Sequence, residues 1–246
     1  MNKIIFLVFF ILTPFVRAQI KTDSLVQTQK STLKYEAFIV PVALIGYGIV
    51  GLESHTLKDL NQSTNNELKE HIDTQFTIDD ISQYSPFLAV YALNAVGIKG
   101  KNNFKDRTVV LGTAYLIMGA SVNIIKRTSN VERPDGSSNN SFPSGHTATA
   151  FMGAEFLYQE YKDVSIWYGV TGYAVAAGTG FFRMYNDRHW ITDIAAGAGI
   201  GIVSTKLAYL LHPLIKKTIF KEKDANGLIL PFYNGKEVGV GMSLVF

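Results

Sequence analysis

Three short blocks of the sequence place cations, histidines and a carboxylate beside apolar stretches. The third block, residues 183–193, contains Arg183, His189 and Asp193. His189 and Asp193 are four residues apart, so on a helix they share one face. A carboxylate that orients an imidazole fixes its tautomer and leaves the other nitrogen free to attack an electrophile. The pair therefore suits a nucleophile with its partner, although the same spacing also suits an ordinary salt bridge at a helix start.

The second block is Pro143-Ser144-Gly145-His146-Thr147, directly before a predicted helix. The first backbone N–H groups of a helix have no partner within it and favour an anion. Gly145 allows the backbone to approach a ligand closely. His146 can donate a proton to a departing oxygen. The alternative is a plain helix start with a capping Ser144 and a surface histidine.

The first block, residues 126–134, contributes Lys126 and Arg133. A guanidinium can bind two phosphate oxygens at once, but lysine and arginine also flank membrane helices routinely. The three blocks together are more specific: Lys-x6-Arg-Pro, Pro-Ser-Gly-His and Arg-x5-His-x3-Asp occur in this order, each at an apolar-helix boundary. This arrangement resembles the type 2 phosphatidic acid phosphatase and vanadium haloperoxidase superfamily, over about residues 84–212.

The resemblance implies a metal-independent phosphatase that works through a phosphohistidine. It makes His189 the nucleophile, Asp193 its partner and His146 the general acid for the leaving group. It also implies a set of phosphate-binding residues: Lys126, Arg133, Ser144, Gly145 and Arg183. No cofactor and no metal is expected. One departure is visible, because Phe182 stands where the family usually has a serine before Arg183; this bears on substrate preference rather than on the reaction.

Composition removes several classes of function. The chain has 246 residues, of which 47% are hydrophobic and 17% charged, with a formal net charge of +3. It has no cysteine, which excludes disulfides, thiolate zinc sites and cysteine nucleophiles. No basic stripe with interleaved aromatics indicates a nucleic-acid partner. The other histidines, His55, His71 and His212, are scattered, and we expect them at surfaces or interfaces.

The elements that must position the three blocks are apolar stretches near 37–52, 84–98, 108–125, 147–158, 165–182 and 191–211. Small residues at 195–199 favour close helix packing in a bilayer. We predict an all-α bundle of about five to six mostly transmembrane helices, with a short C-terminal β-hairpin. Periodicity does not separate this from a soluble helical bundle. The hairpin rests on Asn234-Gly235, a strong turn signal, and on alternation from Val238 onward.

The N-terminus is typical of an export signal, with Lys3, an apolar run to Phe15, and Ala18 at a cleavage position. An uncleaved anchor is the alternative. Lysines and arginines at 99–107 and 216–223 favour the cytoplasmic side, which leaves residues 53–83, 126–146 and 183–190 outside. The predicted parts are a signal peptide (1–18), an N-terminal helix and polar extracytoplasmic segment (19–83), a phosphatase core (84–212), and a basic linker with hairpin tail (213–246).

The function predicted from the sequence is hydrolysis of a phosphate monoester or diphosphate on a membrane lipid. The predicted location is a bacterial inner membrane, with the active site facing the periplasm. The partners are then the membrane and the lipid phosphate substrate, without nucleic acid. Two alternatives are a soluble periplasmic acid phosphatase and a non-catalytic protein that binds lipid phosphate. A haloperoxidase ranks below these, because it would need bound vanadate and usually a longer chain.

Overall fold

The structure, a computed structural model, describes residues 35–70, 76–219, 227–233 and 238–244. A 3-10 turn at Tyr35–Phe38 leads into the first of eight α-helices in these ranges. The helices are α1 (Ile39–Gly51), α2 (His55–Glu70), α3 (Ile78–Ser82), α4 (Ser85–Ala95), α5 (Phe104–Ser129), α6 (Gly145–Tyr161), α7 (Ile166–Tyr185) and α8 (Ile191–Ile219). Each of the six apolar stretches contributes to a helix, and the all-α prediction is confirmed. The predicted signal peptide lies outside the described residues.

Side-chain caps define where the helices that frame the site begin. The Asn103 side chain accepts a hydrogen bond from the Asp106 N–H at 2.9 Å at the start of α5. Ser144 accepts from the Thr147 N–H at the start of α6, and Ser165 caps α7 in the same way. A capping oxygen satisfies one of the backbone donors that a helix start leaves unpaired. The caps place the second block at the beginning of α6.

Helices α6 and α8 form the centre of the bundle. α6 packs against α4, α5, α7 and α8, and α8 packs against α1, α5 and α6. The small residues predicted to allow close packing lie at these contacts: a Cβ on Gly197 would meet the Ser144 carbonyl oxygen at 2.5 Å, and Gly199 lies against the backbone of α1 at Pro41. Glycine at these positions brings the backbones of α1, α6 and α8 together.

Two helices, α5 and α8, are long and apolar enough to cross a membrane. The 3-10 turn at Tyr35–Phe38 continues into α1, and α2 follows at an angle of 94° after a short break. If this bent pair counts as one span, the described residues contain three candidate spans at most. α5 turns much of its apolar surface outward, with Leu116 75% exposed and Ile124 51% exposed, as expected for a helix facing lipid. α6 lies inside the bundle instead, since nearly all its residues are buried.

The end of α6 remote from the second block carries a buried polar network. Glu155 lies nine residues after His146, roughly 14 Å along the helix. Lys206 donates to the Glu155 carboxylate at 2.7 Å, and Tyr209 donates to that of Glu160 at 2.7 Å. Buried charges are tolerated when they are paired and hydrogen-bonded. This network explains how a helix with two glutamates can be interior.

The tail beyond α8 contains two strands, β1 (Gly227–Tyr233) and β2 (Val238–Leu244). They pair antiparallel, with Gly227 opposite Leu244 and Tyr233 opposite Val238. The Asn234-Gly235 turn lies outside the described residues. α8 itself continues through Pro213 to Ile219, past residue 212, where the core is predicted to end.

Candidate active site

The third block lies at the start of α8, and Asp193 holds its backbone. The Trp190 N–H donates to Asp193 Oδ2 at 2.9 Å, so the carboxylate caps the first turn of the helix. Asp193 is fully buried and His189 is 2% exposed. The His189 backbone N–H donates to the Arg183 carbonyl at 3.3 Å. The loop from α7 to α8 therefore fixes His189 and Asp193 against one another.

His189, Asp193 and Ser141 form a buried triad of contacts. His189 Nδ1 lies 3.4 Å from Asp193 Oδ2 and 3.4 Å from Ser141 Oγ. The Ser141 hydroxyl donates to Asp193 Oδ2. With these two acceptors beside Nδ1, the proton of a neutral ring belongs on Nδ1, and Nε2 keeps its lone pair.

Burial controls the charge of His189. The pKa of His189 is lowered to about 4, mainly by burial; Asp193 opposes the shift, and the charges of Lys126 and Arg183 add to it. The imidazole is therefore neutral at neutral pH, which a nitrogen nucleophile requires. Asp193 would stabilise the positive charge that develops on the ring when Nε2 forms a bond.

The second block is tied directly to the third. The Ser144 N–H donates to the Asp193 carbonyl at 3.0 Å, and the buried Ser144 hydroxyl bonds Thr147 Oγ1 at 2.9 Å. The first block joins them, because Lys126 Nζ donates to the carbonyl oxygens of Asn140 and Ser141. A Cβ on Gly145 would lie 4.0 Å from Lys126 Cε. The ammonium group thus lies beside the start of α6.

The two arginines complete a cationic cluster. Arg133 Nε donates to Asn140 Oδ1 at 3.1 Å, and both burial and the Arg183 charge lower the pKa of Arg133. Arg183 is 7% exposed, and its NH1 donates to Asp79 Oδ2 at 2.5 Å. The buried Arg183 Nε has no hydrogen-bond partner among the described residues.

His146 faces the same cluster from the first turn of α6. Its Nε2 lies 3.0 Å from Asp80 Oδ1, and Arg183 NH1 lies 3.8 Å from the same oxygen. Burial lowers the pKa of His146, and Arg183 lowers it further, whereas Asp80 and Asp79 raise it. The structure thus brings the predicted site residues of all three blocks to one end of the bundle. Their chemical roles stay predictions.

A polar stripe on α2 holds the third-block loop in place. Asn61 and Asn65 are one helical turn apart. Asn61 Nδ2 donates to Thr192 Oγ1 at 2.9 Å, and Asn65 Nδ2 donates to Asp187 Oδ1 at 2.7 Å. Asp187 has a positive φ of 57°, a conformation that aspartate adopts more readily than most side chains. The loop that precedes His189 is therefore supported by a segment more than a hundred residues earlier.

Comparison with known proteins identifies a related family over the part of the chain that carries the three blocks. Residues 107–217 match the PAP2 superfamily. This part of the chain is a PAP2 superfamily domain. All eight predicted site residues fall within it. Over 141 residues the chain is 43% identical to the lipid A 1-phosphatase of Porphyromonas gingivalis, an alignment covering 56% of this chain and 31% of that relative. The chain therefore spans about a third of the length of this curated relative.

Two solved structures are similar to the fold. The first transmembrane PAP2-type phosphatidylglycerolphosphate phosphatase from Bacillus subtilis has a TM-score of 0.49 at 20% identity, covering 73% of this chain and 98% of that one. LpxE from Aquifex aeolicus has a TM-score of 0.46 at 22% identity, covering 62% of this chain and 93% of that one.

Sequence reasoning missed three acidic or hydroxyl residues that contact the site of the PAP2 domain. Ser141 lies two residues before the second block begins at Pro143. A polar side chain so close to the block is the sequence feature that could have indicated a further site residue. Asp79 and Asp80 are adjacent residues of α3. In the sequence they are only two of several acidic residues between positions 53 and 83, and nothing there marks them as site residues. Their contacts to Arg183 and His146 are long-range, so local spacing does not reveal them.

Phe182 joins an aromatic cluster at the end of α7. Its ring lies 5.8 Å from that of Phe181 and 5.9 Å from that of Tyr185, both edge-on. Edge-to-face packing of this kind stabilises aromatic pairs. The side chain offers no hydrogen bond, so at this position the PAP2 domain has apolar packing where the family usually has a hydroxyl.

One group in the described part of the chain could hold a metal ion. Asp79, Asp80 and His146 place their ligand atoms within 4.8 Å of one another. Arg183 is already the cationic partner of both carboxylates, at 2.5 Å and 3.8 Å. A dication there would lie against a guanidinium, which repels it. These carboxylates therefore suit the arginine better than a metal.

The remaining histidines lie away from this cluster where they are described. His55 is exposed at the start of α2. His212 Nε2 lies 3.3 Å from Asp106 Oδ1, near the opposite end of the bundle. His71 lies outside the described residues. None of the described ones contributes to the candidate site.

Proposed function

We propose that this protein hydrolyses a phosphate monoester or diphosphate of a membrane lipid, with His189 as the nucleophile. The observation that carries this proposal is the buried His189 ring. Its Nδ1 is 3.4 Å from the Asp193 carboxylate, and it lies among three cations from different elements, Lys126, Arg133 and Arg183. Binding alone would require only the cations, so the oriented, neutral imidazole favours catalysis over simple lipid binding.

The reaction proceeds in two displacements. Nε2 of His189 attacks the phosphorus, the bond between phosphorus and the leaving oxygen breaks, and His146 gives that oxygen a proton. Water then attacks the phosphorus of the phosphohistidine, the P–N bond breaks, and inorganic phosphate leaves. His146 accepts a proton from this water and is ready for another cycle. Each step uses only side chains of the chain and water.

The cations and backbone donors stabilise the transition state. Phosphoryl transfer spreads negative charge over the equatorial oxygens, and fixed positive groups around them lower the barrier. Arg183 offers its unpartnered Nε–H, Arg133 its guanidinium and Lys126 its ammonium. The start of α6, at Ser144 and Gly145, adds backbone N–H groups with the positive end of the helix dipole.

The position of the site in the bundle supports a lipid substrate. The site lies at the end of α5 and the start of α8, the two helices apolar enough to cross a membrane. A head group at this end would leave its acyl or prenyl chain beside the exposed apolar side chains of α5. The 43% identical relative is a lipid A 1-phosphatase, which supports a lipid phosphate as substrate. Phosphatidic acid, phosphatidylglycerol phosphate and a polyprenyl diphosphate belong in the same test panel.

The charge distribution supports an active site facing the periplasm of a bacterial inner membrane. The loop with Lys99 and Lys101 lies at the end of the bundle remote from the site, because the Lys101 N–H donates to the Glu160 carbonyl at 2.9 Å. Lys216 is at the same end, with Nζ 3.3 Å from Asp106 Oδ2. Cationic loops prefer the cytoplasmic side, so the site end faces outward.

The test is a phosphate-release assay of the detergent-purified protein against the lipid panel, with excess chelator. We expect release with chelator present, no release by His189→Ala, and full release by His55→Ala, a matched control at an exposed histidine. Brief reaction with labelled substrate and alkaline quench is expected to trap acid-labile label on the wild type only. Activity that needs a divalent metal, or that survives His189→Ala, would refute the mechanism.

Partition of the protein after lysis without detergent tests the membrane assignment separately. We expect it in the membrane fraction. Recovery of active protein in the soluble fraction would favour the alternative, a soluble periplasmic acid phosphatase.

A further inference from the structure

The short helix α3 delivers two carboxylates to the cationic side of the site. Asp79 is 1% exposed, and it accepts hydrogen bonds from Arg183 NH1 at 2.5 Å and from Asn186 Nδ2 at 3.0 Å. Asp80 lies 3.0 Å from His146 Nε2, with its side chain 56% exposed. Both residues precede residue 107, so they lie outside the matched PAP2 domain. The neighbouring carboxylates thus have different hydrogen-bond partners, although both lie near Arg183.

Burial and the charge of Arg183 disfavour a positive charge on the His146 ring. The charged groups that face it are Arg183 from α7, and Asp79 and Asp80 from α3. Lys126 from α5 and Asp193 from α8 belong to the adjoining part of the same cluster. A proton donor must carry its proton at the working pH, yet burial and a nearby guanidinium both favour the neutral ring. A carboxylate on the imidazole opposes this preference.

The contacts of Asp79 and Asp80 give the two carboxylates different roles. The Asp79 charge is already matched by Arg183, and the Asn186 amide bonds both Asp79 and the Phe76 backbone. This arrangement orients the guanidinium. The Asp80 carboxylate is shared between His146, at 3.0 Å, and Arg183, at 3.8 Å. Asp80 is therefore the residue placed to accept a hydrogen bond from the Nε2–H and to fix the ring plane.

We propose that Asp80 is the positioning residue of the general acid: it accepts a hydrogen bond from His146 Nε2–H, favours the protonated form of the imidazole and orients the ring beside the leaving group. This rests on the proposed phosphatase function, in which His146 protonates the departing oxygen. Asp80 itself exchanges no proton with substrate; it acts through His146. Asp193 does for the nucleophile what Asp80 does for the acid, so each histidine of the site has its own carboxylate.

The test compares Asp80→Asn with the wild type over a full pH range. Removing the charge favours neutral His146, so the alkaline limb of kcat/KM moves about one pH unit lower. Above that limb kcat/KM on an alkyl phosphate falls about tenfold. Asp80→Glu restores the limb in part, because the carboxylate returns. Asp163→Asn, the same chemical change at an exposed site beyond the other end of α6, leaves the profile unchanged.

Leaving-group dependence separates this role from a structural one. A nitrophenyl phosphate carrying the same alkyl chain needs little protonation of its leaving oxygen. We expect the Asp80→Asn deficit to shrink on this ester, as it should for His146→Ala, while His189→Ala stays inactive on both substrates. A purely structural contact would lower both rates equally and leave the pH profile in place. Melting temperatures in detergent confirm that each variant is folded.

The outcomes distinguish the two proposals. If the wild type releases phosphate from neither substrate, the proposed function is wrong. If the wild type is active and His189→Ala is not, but Asp80→Asn retains the wild-type profile or loses both substrates equally, only the role of Asp80 is wrong. A lower alkaline limb with a smaller deficit on the nitrophenyl ester supports it.

Discussion

Replacement of Asp193 by asparagine isolates the contribution of the carboxylate to the nucleophile. The shape of the side chain and its acceptor oxygen are retained, so the cap on the Trp190 N–H, now 2.9 Å from Asp193 Oδ2, can persist. Asparagine is as good a helix cap as aspartate, and we expect little loss of stability from this contact. What is lost is the negative charge beside His189 Nδ1.

The size of the effect follows from the separation of the two groups. Asp193 Oδ2 lies 3.4 Å from His189 Nδ1. At that distance an effective dielectric constant of about 20 gives an attraction of about 5 kcal/mol between the carboxylate and an imidazolium-like ring. If most of this appears only as the phosphohistidine forms, the rate falls about 10³–10⁴-fold. The amide can also hold the wrong tautomer of His189, which acts in the same direction.

The assay is single-turnover phosphate release by the purified protein in detergent, with melting temperature measured in parallel. Asp59→Asn, at an exposed position of α2, is the matched control and is expected to keep wild-type rates. A fall of less than about tenfold with an unchanged melting temperature would refute the electrostatic argument, because each tenfold step in rate corresponds to only 1.36 kcal/mol. A large drop in melting temperature would show that Asp193 acts mainly through the fold.

Two further predictions concern pH and packing. Because burial lowers the pKa of His189 to about 4, the acid limb of kcat/KM is expected at about pH 4, as protonation removes the nucleophile; a limb near the ordinary histidine value of 6.5 would contradict this. Gly201→Ala places a Cβ against the Ala148 carbonyl oxygen and 2.7 Å from the Met152 nitrogen, so we expect about 1–3 kcal/mol of destabilisation. Gly112→Ala on α5, with nothing within 4 Å, is expected to be neutral or stabilising; equal melting temperatures for the two variants would refute the close contact of α6 and α8.

The site depends on parts of the chain outside the PAP2 domain. α2 contacts Thr192 of α8 through Asn61 and Asp187 of the loop before His189 through Asn65. α3 supplies hydrogen-bond partners of Arg183 and His146. These contacts span between 66 and 131 residues of sequence. α2 and α3 therefore help to hold His146, Arg183 and the loop before His189, and in the proposed mechanism they bear on catalysis through these contacts.

Local chemistry in the sequence was sufficient to place the three blocks and the six helices that contain the apolar stretches, but not α2 and α3, which lie in the predicted polar segment. A Ser144 cap, a pair at i and i+4, and runs of apolar residues depend on neighbours within a turn or two, where spacing determines geometry. The glycines at 197 and 199 also indicate that α8 packs closely against α6 and α1.

Only the tertiary structure decided which distant side chains join the blocks. Ser141 reaches Asp193, and Asp80 reaches His146, through the packing of whole helices. The structure also decided that α6 is interior, since its apolar character equally suits a membrane span, and its glutamates need partners such as Lys206 from another helix. The sequence around a carboxylate does not show which distant group will become its partner. Its role is set by the groups it meets after folding, and for Asp80 those groups are His146 and Arg183.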